Sequence, residues 1–141
     1  MPDILHRVGI AAEPMRVFEA LTTIDGIRHW WSSDAEGDAS EGSAFEFRRN
    51  RLDVLHADPS LVCWRYSGPA AEWVGTEIIF RLEWRNNQTI VLFTHKGWAE
   101  PVEFMHHCST KWATFLLSLK DLVESGEGRP EPRDTKIAVD A

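Results

Sequence analysis

The chain has 141 residues, a formal net charge of −7 and 43% hydrophobic residues, a length that fits one domain able to bury roughly two-thirds of its unfolded surface without staples. The composition is too apolar for disorder, the acidic balance argues against nucleic acid, which selects basic faces, and no apolar run reaches the roughly 18 residues of a membrane span. Cys63 and Cys108 make no disulfide framework and no signal peptide is visible at the start, so a reducing, cytoplasmic compartment is expected.

Residues 3–11 alternate, with Ile4, His6, Val8 and Ile10 on one side, and read as a first strand. Ala12-Glu13-Pro14 opens a short helix, since proline suits a first helical turn. Thr22-Thr23 breaks it, and a second short helix runs from Ile24 to the pair Trp30-Trp31. The acidic stretch Asp34 to Glu41 reads as a solvated loop, and Arg48, Arg49 and Arg51 as a solvated strand edge.

From Phe45 onward the period is two. Phe45 and Phe47 alternate with Glu46 and Arg48; Leu52, Val54 and His56 lead to a turn at Asp58-Pro59-Ser60; Val62, Trp64 and Tyr66 carry the next strand. In the clearest strand Ile78, Phe80, Leu82 and Trp84 share a face, and Asn86-Asn87 then forms a two-residue turn, because Asn tolerates positive φ. Such a turn pairs Arg85 with Gln88, Leu82 with Val91, Phe80 with Phe93 and Ile78 with His95, placing His95 among the aromatic rings. After Pro101, apolar residues from Phe104 to Val123 recur at spacings of three and four, a helix of about twenty residues ending near Ser125-Gly126. The domain is therefore expected over 1–125, with 126–141 a flexible tail.

A sheet with one apolar face must cover it, and only the last helix is long and apolar enough. The fold expected is α+β: a curved antiparallel sheet of about six strands around a long C-terminal helix, with two short helices after the first strand. Several segments, in this order and spacing, resemble the SRPBCC (START-like, Bet v 1-like, helix-grip) superfamily, and within it the group similar to the C-terminal domain of the activator of Hsp90 ATPase. They are Ile10 to Pro14 leading to Val17-Phe18-Glu19-Ala20-Leu21, Trp30-Trp31, Phe45-Glu46-Phe47, Leu61 to Trp64, Glu72 to Thr76, Phe93-Thr94-His95, and Trp112 with Leu119-Lys120. The resemblance implies a ligand cavity between sheet and helix. It also raises a chaperone association, although Hsp90-activating members carry a further N-terminal domain outside these 141 residues, so direct co-chaperone activity is not the expectation.

The chain has seven Trp and seven Phe against one Tyr. Trp suits flat ligand faces better than a small core. The expected partner is thus a hydrophobic or aromatic small molecule, bound by Trp31, Phe45, Phe47, Trp64, Phe80, Phe93, His95, Trp112 and Phe115. Each of these is, taken singly, also what a core needs. The superfamily resemblance also implies an alternative, a cyclase- or hydratase-like reaction with a pocket His as general acid or base, for which His95 is the first candidate and His29, His106 and His107 stand behind it. No nucleophile elbow, phosphate loop or partnered triad accompanies them, so binding rather than catalysis is expected. Consecutive helical positions point about 100° apart, so His106-His107-Cys108 cannot close on one ion, and neither metal nor cofactor is expected. Trp73 and Trp98, beside loops, read as exposed anchors for a protein partner, a second copy in a homodimer included.

Overall fold

The computed structural model describes residues 2–139. Strand β1 (Ile4–Ile10) is followed by helices α1 (Pro14–Thr22) and α2 (Ile24–Trp30). Six strands come next, β2 (Glu36–Gly37), β3 (Ala44–Phe47), β4 (Asn50–Asp58), β5 (Leu61–Gly68), β6 (Glu77–Arg85) and β7 (Gln88–Lys96), and then helix α3 (Glu103–Ser125). All seven strands form one antiparallel sheet in the order β1-β7-β6-β5-β4-β3-β2. This is the helix-grip arrangement, with α3 over the concave face. The strand missing from the sequence reading is β2, two residues inside the acidic loop, too short to show any period.

Local chemistry explains the elements. Thr23 caps α2, its hydroxyl accepting the Gly26 N–H at 3.0 Å, and α3 stops where Gly126 turns left-handed at φ 87°. Asn86 and Asn87 have φ of 55° and 58°, the turn that the register requires. Arg85 pairs with Gln88, Leu82 with Val91, Phe80 with Phe93 and Ile78 with His95, as the turn predicts.

The turn between β3 and β4 is of the same kind, yet Arg48 and Arg49 occupy it at φ 47° and 71°. Left-handed backbone costs a side-chain-bearing residue about 1–2 kcal/mol. Arg48 is compensated, since its N–H reaches Asp34 Oδ2 at 3.1 Å and its guanidinium reaches Glu131; Arg49 has no such partner among the described residues. Arg49→Gly is therefore expected to raise stability by about 0.5–1 kcal/mol. An unchanged or lower urea midpoint would contradict this.

Residues after α3 are packed, which differs from the flexible tail expected over 126–141; Asp140 and Ala141 lie outside the described residues. Gly128 crosses so close to the body that a Cβ there would stand 2.4 Å from the His29 carbonyl oxygen and 2.9 Å from that of Ser118. The Arg129 N–H donates to Ser118 Oγ, which donates to the Trp30 carbonyl. Glu131 N–H reaches the Trp31 carbonyl at 2.8 Å, and the Glu131 carbonyl accepts from Ser33 N–H at 3.0 Å. The buried Asp134 carboxylate holds the ammonium groups of Lys111 and Lys136. Burial pushes that carboxyl up, but the two lysines more than offset it, leaving it below the usual carboxylate range. The strap escaped the sequence reading because hydrogen bonds and ion pairs hold it, and these leave no apolar period. Asp134→Ala is expected to cost about 1–2 kcal/mol and to speed trypsin cleavage after Lys136, which the Asp134 carboxylate holds. Unchanged cleavage rates would show that the strap is held without it.

Candidate functional site

The concave face of the sheet carries aromatic side chains because they occupy alternate positions of neighbouring, in-register strands. Phe80 meets Phe93 edge-on at 5.2 Å and Trp64 at 5.0 Å, and Phe45 meets Trp64 at 5.0 Å. Trp31, at the end of α2, stacks on Trp64 at 5.4 Å and on Trp30 at 5.4 Å. This half of the space between sheet and helices is filled.

The other half is open. A cleft of about 280 Å³ lies between α3, the β3–β4 hairpin, the end of β5 and the loop after it. Trp31, Phe47, Trp112 and Phe115 line it, four of the nine residues expected to contact a ligand. Phe45, Trp64, Phe80, Phe93 and His95 do not line it: all five are fully buried and packed against one another or the rings of Trp31 and Trp112. Period two places a side chain on the concave face, but it does not say whether a neighbouring ring already covers it. The wall is completed by residues outside the expected set: Tyr66, Ala70, Trp73, Phe104, His107 and Cys108, with Arg48, Asn50, Lys111 and Glu131 as its polar part. Alternation placed Tyr66 on the inner face of β5, but no sequence signal marked Arg48, Asn50, Lys111 or Glu131, which the hairpin, α3 and the strap bring together.

His95 is a structural residue. The Trp112 indole N–H donates to its Nδ1 at 3.1 Å, which leaves the proton on Nε2 to donate to Thr76 Oγ1 at 2.8 Å. Thr76 in turn donates to the Trp73 carbonyl at 2.6 Å. Every polar atom of the imidazole is used, and burial lowers its pKa to about 3, so it is neutral at physiological pH. A ring so held cannot serve as the general acid or base considered for it. His29 sits exposed at the end of α2, with Nδ1 on the Asp25 carbonyl, away from the cleft. His106 is exposed, and His107 alone of these reaches the cleft wall, stacked on Phe104 with centroids 5.8 Å apart. Burial raises the thiols of Cys63 and Cys108 to about 11, so neither is a nucleophile at neutral pH. Among the described residues no group of His, Cys, Asp or Glu side chains is placed to hold a metal ion.

The indoles expected outside are mostly inside. Trp98 is 1% exposed, packed on His95 at 5.1 Å, and Trp73 is half-buried against His95 at 4.5 Å. Neither is a free anchor; Trp84, 50% exposed at the end of β6, is the one large indole in solvent among the described residues. Among the described residues the buried N–H groups of Trp64, Trp73 and Trp98 have no hydrogen-bond partner. These rings therefore contribute shape and area rather than polar contacts.

The sequence profile of the family described as "Activator of Hsp90 ATPase homolog 1-like protein" matches residues 11–124. The Aha1 dimer from Colwellia psychrerythraea, a solution structure, is 47% identical, with TM-score 0.83 over 91% of this chain and 100% of that one. The protein SSP2350 from Staphylococcus saprophyticus, at 20% identity, superposes with TM-score 0.75 over 92% of this chain and 97% of that one. CalU16 from Micromonospora echinospora, at 21%, does so with TM-score 0.75 over 92% and 77%. These last two likenesses concern the fold alone. No curated protein matches the chain.

Proposed function

Because the chain belongs to the family of Activator of Hsp90 ATPase homolog 1-like proteins, within the SRPBCC superfamily, we propose that it is a binding module for a small hydrophobic, aromatic molecule held in the cleft beneath α3. The observation that carries this reading is the cleft itself, about 280 Å³ with a floor of Trp31, Trp112 and Phe115 and a limited set of polar groups at its edge. Apolar clefts with few polar groups are the usual small-molecule sites. The volume is modest: about 150 Å³ accepts a benzene ring, and drug-sized ligands take about 300–1,000 Å³. Ligands of one or two rings fit this reading; sterols and long acyl chains do not.

The test is native mass spectrometry of protein purified from its own host, with a thermal scan against one- and two-ring aromatics. A ligand at a hundredfold excess over its Kd adds about 2.7 kcal/mol, a rise of about 8 °C in Tm for a domain this size. Ala70→Trp, which fills the cleft from its wall, should abolish that rise. A protein that is always empty, and whose Tm no aromatic moves, would sink the reading.

The dimeric Colwellia relative favours a second proposal, that this chain also forms a homodimer. Sedimentation equilibrium at micromolar concentration should return twice the monomer mass; a monomer throughout would remove it.

A further inference from the structure

The polar part of the cleft wall is made almost wholly of donors. Arg48 and Lys111 are its two cations and Glu131 its single anion, in a chain whose net charge is −7. Glu131 is already engaged, its Oε2 2.9 Å from Arg48 Nη1. A guanidinium has five N–H donors, and this ion pair uses one. Lys111 spends two of its three donors on Asp134 and on the Thr135 carbonyl, 2.8 Å away. Asp134 is also held by Lys136 at 2.8 Å, so one buried carboxylate is shared between two ammonium groups and the three together keep a net positive charge beside the cleft. Asn50 adds further donors. The Tyr66 hydroxyl oxygen accepts the Ala70 N–H at 2.9 Å and its proton goes to Asn50 Oδ1 at 2.5 Å, which leaves the Asn50 NH₂ without a partner among the described residues. A wall of unspent donors above an aromatic floor has a matching ligand: flat, with an acceptor-only anion at one end.

We infer that the cleft takes an aromatic carboxylate, a one- or two-ring acid whose rings rest on Trp31, Trp112 and Phe115 and whose carboxylate meets Arg48 and Lys111. This rests on the binding reading above and adds the charge and polarity of the ligand. The strap belongs to the same site, because its carboxylates of Glu131 and Asp134 sit on the two cations that a ligand carboxylate would approach. A carboxylate offers acceptors that Asn50 and Lys111 lack; a primary amide keeps one neutral acceptor but turns an NH₂ donor toward these donors, and an ammonium offers donors alone.

Isothermal titration of the whole chain at low salt with 2-naphthoate, 2-naphthamide and 2-naphthylmethylammonium separates the ideas. The naphthoate should bind at least tenfold more tightly than either isostere. Lys111→Met and Arg48→Met should each reduce that preference, while Lys111→Arg should keep it, which separates lost charge from a disturbed strap. Arg81→Gln, the same loss of charge on the opposite face of the sheet, should also keep it. A smaller preference in the native protein overturns the anionic assignment and leaves the binding reading standing. A preference that survives both methionine variants overturns the role of Arg48 and Lys111. Binding of none of the three probes overturns this inference and the binding reading together.

Discussion

Trp112→Ala is expected to cost about 3–5 kcal/mol, the range for removing a buried Trp or Phe ring from a core. Trp112 joins the filled and open halves of the interior. Its ring lies 4.6 Å from Phe93 and 5.1 Å from Trp31, its N–H holds His95, and its other edge faces the cleft. Against a total of about 5–15 kcal/mol for a domain, such a loss leaves the variant near its unfolding threshold at 37 °C. Trp112→Phe keeps a smaller aromatic ring and drops the donor to His95 Nδ1, so the loss should fall below that of alanine but not below the hydrogen bond's own about 1–2 kcal/mol. Leu117→Ala, on the same helix but 53% exposed, should change stability by no more than about 0.5 kcal/mol. Urea unfolding followed by far-UV circular dichroism ranks the three. An alanine at 112 as mild as one at 117 would mean that the ring cluster does not carry the fold.

Acid should weaken the protein well before its carboxylates titrate, and His95 should be the cause. Its folded pKa is about 3 against 6.5 for an ordinary histidine. Between these values the unfolded chain binds a proton that the native state refuses, so stability rises with pH. The contribution is complete above about pH 6.5 and falls by up to about 1.4 kcal/mol per pH unit below it. From pH 7 to pH 5 the expected loss is about 2 kcal/mol. Asp34, Asp38, Glu124 and Asp134, whose native pKa values are lowered, act in the same direction but below the range of ordinary carboxylates, mostly under pH 5. His95→Asn keeps a donor and an acceptor and removes the titration, so its urea midpoint should be nearly flat from pH 7 to 5. An equal slope in both proteins would assign the acid sensitivity to another group.

The strands, the long helix and the β6–β7 register were legible because each rests on local rules. Period two marks a half-buried strand, three-and-four spacing marks α3, and Asn86-Asn87 accepts positive φ whatever surrounds it. The aromatic excess also pointed to the right layer, since Phe80, Phe93, Trp64 and Trp112 all meet between sheet and helix. The Arg48-Arg49 turn was not legible, as neither residue favours the left-handed backbone that Asp34 and Glu131 help to hold.

Which aromatic rings form the core and which face the cleft was decided only in three dimensions. Phe45 and Phe47 sit two residues apart on one strand face, yet one is covered by Trp64 and the other borders open space. His95 shows the same limit: its hydrogen-bond partners, Thr76 and Trp112, lie 19 and 17 residues away, and they turn a candidate acid–base group into a neutral core side chain. By itself the amino-acid order determined one acidic α+β domain with its aromatic rings on one sheet face, because alternation, helical spacing and turn preference act over a few residues. The packing of the strap, the filling of half the interior and the convergence of Arg48, Asn50, Lys111 and Glu131 on one wall depend on contacts between distant segments, which only the tertiary structure could decide.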